Sequence, residues 1–544
     1  MFDIYDRRKF LGMALKTAGG IVAAGSFAEF LAACSSGTTT TTTGNLTPKH
    51  GGSLTFATEA EINSFDPRQG AWDSTGLQYA RTVFDPLFTQ ADDGTIKPYL
   101  AASIDHNAEY TQWTIKLRPG VKFHDGSDLD AATVKVNFDG LAKSPLTGPA
   151  LFNYVSSTVV DTLTLTVATK TPWVPFPIYL TGQLGHVAGL KQLADTSGKA
   201  QPIGTGPFMF KEWVPGDHFT AVKNPNYWQK GLPYLDSITY KPIPDSQSRG
   251  NSLKAGNVDF IHSSDTQTTA DFKDNKNFSS LNDMNSVLGE PDESFIMLNT
   301  TVAPLDDIRV RQALAYSIDR QKVIDTVYNG LTKPSDGPFP PGSPYYVDPK
   351  YPTFDLQKAK DLVAAYTKDK GPISFKYGTT NSPKNLQTNQ LVQSMWKAAG
   401  INADIVQFEQ SPYILNAILG NYQAYGWRQF NSPDPDANYV WWSALTALPN
   451  GKQALNFARN KDAVIDGALA TGRASADPAV RAAAYQKIQT QFAIDLPYIF
   501  ITRTIWIVAS KKTIHGYDSP NLPDGGKARP MGSGIVSPAF FWKE

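Results

Sequence analysis

Cysteine is nearly absent from this sequence: Cys34 is the single example among 544 residues. One thiol forms no disulfide within the chain, and it offers no cysteine cluster for zinc or iron. Histidine is sparse as well, at seven, and no His-Glu-x-x-His or comparable ligand spacing occurs. Net charge is missing altogether, with 50 Lys+Arg against 50 Asp+Glu, so the basic excess that nucleic-acid binding requires is not available. The motifs of hydrolases and nucleotide-binding proteins are lacking too. There is no Gly-x-Ser-x-Gly elbow, and Gly204-Thr205-Gly206 has no Lys-Ser/Thr behind it to make a phosphate loop. Thr171 to Leu190 carries no Asp, Glu, Lys or Arg, yet Pro172, Pro175 and Pro177 make it a poor membrane-spanning helix.

What is present fits a large globular chain. Hydrophobic residues make up 41% and aromatic residues 12%, enough for a sizeable core, and the length predicts three units or two large lobes. The N-terminus reads as a processing signal. Asp6-Arg7-Arg8-Lys9-Phe10-Leu11 resembles the twin-arginine export consensus, with Arg7 and Arg8 as its pair. An uncharged segment from Thr17 to Ala28 follows, too short to span a bilayer. Leu31-Ala32-Ala33-Cys34 then resembles a bacterial lipobox, which makes Cys34 the lipidation site. The threonine run from Thr38 to Thr43 has the composition of a tether rather than of a core. These segments predict residues 1–33 as signal and 34–50 as a lipidated tether, with the folded part outside the cytoplasm.

Strand and helix signals interleave from Gly51 onward. Leu54 and Phe56 alternate with smaller residues, and Trp113, Ile115 and Leu117 alternate with Thr114, Lys116 and Arg118, each pattern predicting a half-buried strand. Val121 to Gly126 predicts a second strand and turn, and Asp130 an N-cap for a helix that turns Val134, Phe138 and Leu141 inward. Leu163, Leu165 and Val167 predict another strand. The stretch from Pro202 to Ile261 opens on a turn, Gly204-Thr205-Gly206-Pro207. It continues through strands near Phe208 to Trp213 and Phe219 to Val222, joined at Pro215-Gly216-Asp217. Further on, Asp307, Asp319 and Asp355 are placed to cap helices. Leu391, Met395 and Ala398 stripe another helix, closed by Gly400.

Several of these segments together resemble one family. Trp113 to Gly126 is similar to the signature of the family 5 extracellular solute-binding proteins, the dipeptide, oligopeptide and nickel-binding group of ABC importers. The Gly-Thr-Gly-Pro turn, Asn224-Pro225-Asn226-Tyr227-Trp228, Gly256-Asn257-Val258-Asp259 and Pro304 to Arg320 match in the same order. The resemblance runs from about Gly51 to about Arg503. It implies an α/β, two-lobed periplasmic-binding-protein-like fold with a hinge and an inserted smaller domain. Lobe I would comprise 51–84, 202–295 and 498–544, the inserted domain 85–201 and lobe II 296–497, with crossovers near Ile296 to Asn299 and Tyr498 to Ile501.

The resemblance also implies a monomer that captures a peptide or similar small solute without a cofactor or metal and without chemistry on it. Delivery would be to permease and ATPase subunits. In peptide-binding members a stretch like Asp434-Pro435-Asp436-Ala437-Asn438 supplies an aspartate for the ligand's α-amino group, and Asp434 matches best. Pro433 and the inserted Ala437 depart from that pattern, and a turn-forming Asp434-Pro435 pair is the alternative. Trp427, Tyr439, Trp441 and Trp442 are near in sequence and would together line an apolar cleft, or singly belong to the core, whereas Arg428 either meets a carboxylate or sits on the surface, the surface being favoured. His124-Asp125 reads as part of a structural turn. Two rivals are an oligosaccharide receptor, for which stacked aromatic rings would matter more than Asp434, and an extracellular lipoprotein peptidase.

Overall fold

A computed structural model describes residues 47–195, 201–284, 293–429 and 434–544. The signal and lipidation residues Arg7, Arg8 and Cys34 lie outside the described residues, as do 430–433 of the aspartate-bearing loop.

Leu54 and Phe56 are buried on strand Ser53–Thr58, which occupies the middle of a seven-stranded sheet. It pairs in parallel with Ser237–Pro242 on one side and Phe260–Ser263 on the other. The parallel centre places aromatic residues in register, Phe56 opposite both Tyr240 and Phe260. Phe208–Val214 and His218–Lys223 extend the sheet as a hairpin about Gly216, whose φ of +78° suits the turn. Gly204 and Gly206 have a different reason. A Cβ on Gly204 would stand 1.9 Å from the Val83 carbonyl oxygen, so the turn lies against the end of helix Ser74–Val83 only because a side chain is absent.

A four-stranded antiparallel sheet follows, in the order Ala101–His106, Gln112–Leu117, Thr164–Thr169, Tyr154–Asp161. Its Trp113, Ile115, Leu117, Leu165 and Val167 face Val134, Phe138 and Leu141 of helix Ala131–Lys143 in a separate core. Asp130 caps that helix, its carboxylate accepting from the Thr133 amide at 2.7 Å. Val121 to Phe123, expected as a strand, is instead a loop. Pro119-Gly120 and Asp125-Gly126 turn the chain so closely that it hydrogen-bonds to itself, Phe123 to Ser127 and Leu129 to Val121.

The five-stranded sheet runs Asn402–Phe408, Ser374–Thr380, Ala424–Gln429, Glu293–Leu298, Tyr498–Arg503. Helices surround it, among them Ile308–Tyr316, Arg320–Val327 and Leu356–Lys370, capped by Asp307, Asp319 and Asp355. Helix Pro383–Ala398 turns Met395 and the half-buried Leu391 inward as expected, but not Ala398. Val392, Met395, Trp396 and Ala399 are buried while Ala398 is exposed, because the fully buried Trp396 ring packs on Phe375 and Tyr377 and sets the inward face.

The chain leaves the seven-stranded sheet after Asn282, enters the five-stranded one at Glu293, and returns between Arg503 and Ile507. The strands flanking the two passages are neighbours in both sheets: Phe278–Asn282 beside Ile507–Lys511, and Glu293–Leu298 beside Tyr498–Arg503. The expected crossovers near Ile296 and Tyr498 therefore fall inside strands of the five-stranded sheet. Both strands are apolar and buried through these positions, and polar residues come only beyond them.

Candidate functional site

In open α/β sheets, ligands bind beyond the carboxyl ends of the parallel strands. Strand Ser53–Thr58 is followed directly by Glu59, and Phe260–Ser263 by Ser264 and Asp265. The partners of these residues come from the other sheet. Arg428 lies near the carboxyl end of Ala424–Gln429, and Lys384 in the first turn of the helix that follows Ser374–Thr380. Arg428 Nη2 stands 3.3 Å from Glu59 Oε1, and its Nη1 donates to Ser264 Oγ at 2.6 Å. The guanidinium also lies over the Trp506 ring, 4.9 Å from its centre. Lys384 Nζ meets Asp265 Oδ1 at 2.8 Å and sits 4.8 Å from the centre of the Tyr328 ring. Two acidic residues of one sheet thus meet two basic residues of the other.

Burial and pairing compete here. Burial pushes the Glu59 carboxyl up, but Arg428, with Arg249 behind it, more than reverses this and holds the group below its usual range. Burial raises Asp265 as well, and Lys384 overcomes it, holding the carboxyl down. The Lys384 ammonium is drawn down by its own burial against the pull of Asp265; the 2.8 Å contact favours the charged form of both. Behind Glu59, burial lowers His262 to about 4, so its neutral ring accepts a hydrogen bond from the Glu59 amide at 3.1 Å.

The residues singled out in the aspartate loop fall into separate environments. Asp434 is 7% exposed. Its Oδ2 is 2.5 Å from Arg481 Nη2, and its Oδ1 caps a short turn by accepting from the Asp436 amide. Asp436 has no exposure, and Arg473 Nε and Nη2, Trp173 Nε1 and Tyr179 Oη all donate to its carboxylate at 3.0 to 3.2 Å. The Arg473 guanidinium lies among aromatic rings, 3.9 Å from the centre of Tyr439, 4.7 Å from Phe152 and 4.9 Å from Trp173. Burial opposes the charge on both arginines, and the facing carboxylates outweigh it and hold both groups protonated. Tyr439 belongs to that box. Trp442 is a core residue, edge-on to Phe492 and Phe339, while the half-buried Trp427 and Trp441 share Phe457. Trp427 and Arg428 are adjacent on one strand, so their side chains leave opposite faces.

Residues 95–450 match the family model of bacterial extracellular solute-binding proteins, family 5, middle region. The chain belongs to this family. A curated relative, the glutathione-binding protein GsiB of Pectobacterium atrosepticum, is 28% identical over 487 residues, which cover 85% of this chain and 90% of the relative. The solved structure of AgaA from A. tumefaciens R10, in complex with agropinic acid, is 25% identical with a TM-score of 0.79 and covers 91% of this chain and 99% of that one. DppA from Helicobacter pylori, in complex with the peptide STSA, shares the fold with a TM-score of 0.79 at 23% identity, covering 91% and 99%.

In this family 5 protein, Glu59, Asp265 and Lys384 are candidate site residues that no sequence pattern singles out. Arg428 meets a carboxylate, the less favoured of its two readings, and its ion pair with Glu59 bridges the two sheets. For Glu59 the signal is one of topology, the first residue after a parallel strand. His124-Asp125 is a turn: the His124 amide donates to Gly204 O at 2.8 Å, and Asp125 accepts from Ser127. A cavity of about 350 Å³ lies against this turn, lined by His124, Gln192, Ile203 and Met209, and does not include the charged residues between the sheets. Among the described residues no group of three or more His, Cys, Asp or Glu is arranged to hold a metal, and no helix is long and apolar enough to cross a membrane.

Proposed function

We propose that this chain captures a small peptide-like solute between its two larger sheets and delivers it to the membrane subunits of an ABC importer. The observation that carries this reading is the meeting of oppositely charged residues at the carboxyl ends of both sheets, Glu59 with Arg428 and Asp265 with Lys384. Family membership supports the import role, and relatives that bind glutathione and peptides support the solute class. Lobe I would be built on the seven-stranded sheet and lobe II on the five-stranded one, with the four-stranded unit inserted in lobe I. Binding would close the lobes about their two connections. The protein would act as a monomer, exported through Arg7 and Arg8 and held outside the cytoplasm by lipid on Cys34.

A thermal-shift screen over di- and tripeptides, glutathione, maltotriose and nickel chelates tests the capture, confirmed by calorimetry. Stabilisation by at least one peptide is expected, following RT ln(1 + [L]/Kd), or about 2.7 kcal/mol at a hundredfold excess over Kd. A flat screen would sink the reading. The anchor is tested separately: Cys34→Ala should move the protein from the membrane fraction into the soluble extracytoplasmic fraction, and unchanged fractionation would remove the anchor.

A further inference from the structure

Two arginines line one cavity beside the C-terminal segment. Arg81 stands in the last turn of helix Ser74–Val83, and Arg529 comes from the C-terminal segment; both side chains are partly buried. Arg529 is held in place by Gln90, its Nη1 donating to Oε1 at 2.8 Å and its amide to the Gln90 carbonyl at 2.9 Å. The Arg81 guanidinium has no hydrogen bond or ion pair among the described residues. Every other arginine described binds a carboxylate, a backbone carbonyl or a side-chain amide. The charge nearest in effect is of the wrong sign: burial draws the Arg81 pKa down, and Arg529 draws it down further. Tyr99 would pull the other way only if ionised, and its own burial pushes its hydroxyl far above the usual tyrosine range. The carbonyls at the end of the helix already accept from other amides, that of Ala80 from Phe84 and that of Val83 from Gly206. Asp85 is the one carboxylate on the cavity wall, but its oxygens accept from Thr205, Tyr227 and Trp228, and it is not among the groups that act on Arg81. A guanidinium has five donors and keeps its charge, so leaving it unpaired beside a second cation is costly.

We infer that this cavity is a second binding site, for one small free oxyanion of the phosphate or sulfate type held between Arg81 and Arg529. Its volume of about 40 Å³ leaves room for roughly three water-sized atoms, which suits such an ion and excludes a peptide. The planar fork of a guanidinium matches an edge of a tetrahedral oxyanion, donating two parallel hydrogen bonds. Ser537 and Asn521 add neutral donors on the wall. The Ser537 hydroxyl does not cap the turn that follows it, and Asn521 Oδ1 accepts from Lys527 Nζ at 2.9 Å, which leaves its amide hydrogens to donate. The ion would tie helix Ser74–Val83 to the C-terminal segment. None of Glu59, Asp265, Lys384 and Arg428 lines this cavity, so the site is independent of solute capture between the sheets.

Equilibrium dialysis of the purified protein against radiolabelled phosphate, at constant ionic strength and with no other oxyanion in the buffer, tests this. Saturable binding of one phosphate per chain is expected, displaced by sulfate but not by phenyl phosphate, whose ester group the cavity does not admit. Arg81→Met should weaken phosphate binding about 10- to 100-fold, the range for losing a bidentate charge-assisted contact. Arg81→Lys keeps the charge without the fork and should weaken it by a smaller factor. Absence of saturable phosphate or sulfate binding by the native protein overturns the inference, whether or not either variant folds. So does undiminished binding by Arg81→Met, which would place the ion elsewhere. Displacement by phenyl phosphate as effective as that by sulfate overturns the choice of a free ion in favour of a larger phosphate ester.

Discussion

Asp436→Ala is expected to lower the free energy of unfolding by ~3–5 kcal/mol, the cost of leaving one member of a buried ion pair without the other. Arg473 would keep its charge, only 4% exposed, against the faces of Tyr439, Phe152 and Trp173. Cation–π attraction recovers a part of this, about 0.5–2 kcal/mol. Trp173 Nε1 and Tyr179 Oη would lose their carboxylate acceptor as well. Both belong to the segment that carries the four-stranded sheet, so the damage should fall on its junction with the five-stranded side. The double variant Asp436→Ala/Arg473→Met should be less damaged than the single one, since it removes the orphaned charge. Denaturant unfolding followed by tryptophan fluorescence measures both; a single-variant loss below about 1 kcal/mol would mean that the pair is not what holds this junction.

Asp85 should give the chain an unusual pH profile. Burial pushes this carboxyl up to about 7, against hydrogen bonds donated by Trp228 Nε1 at 2.8 Å, Tyr227 Oη at 3.1 Å and Thr205 Oγ1 at 3.3 Å, all neutral groups. In the unfolded chain the same group titrates near 3.9. Between these values the folded protein binds the extra proton, so stability falls as pH rises from about 4 to about 7 and levels off above, by an amount on the order of 4 kcal/mol. Asp85→Asn should erase that component. Subtracting its profile from that of the native sequence between pH 4.5 and 8.5 should leave a downward slope ending near neutrality; identical slopes would show that Asp85 does not titrate there. The site joins three motifs of the sequence, because Asp85 begins the four-stranded unit, Thr205 lies in the glycine turn, and Tyr227 and Trp228 end the Asn224 loop.

The sequence disclosed what is local. Asp130, Asp307, Asp319 and Asp355 were identifiable as caps because each bonds an amide two or three residues on, and Trp113, Ile115 and Leu117 as a strand because period two is visible in a short window. That helix Pro383–Ala398 buries Val392 and exposes Ala398 was not legible, since both are apolar and only the packing of Trp396 on Phe375 and Tyr377 chooses between them. The candidate site was harder still. Asp434 was singled out by resemblance alone, yet its partner Arg481 stands 47 positions away, and nothing in the intervening sequence marks the pairing. Glu59 and Arg428 are separated by 369 positions, so their meeting is a product of the whole topology.

That topology has a practical corollary. The chain passes from one large sheet to the other an even number of times, so both of its folded ends belong to the same body. Gly51 donates to the Tyr234 carbonyl and Glu544 to that of Thr513, and Ile514, Tyr517 and Phe541 share a core with Leu54 and Phe56. Fluorophores placed at the two ends would therefore keep a constant separation however far the sheets move apart. A useful ruler needs one label moved to the excursion between Glu293 and Arg503, for instance on the exposed Ala398.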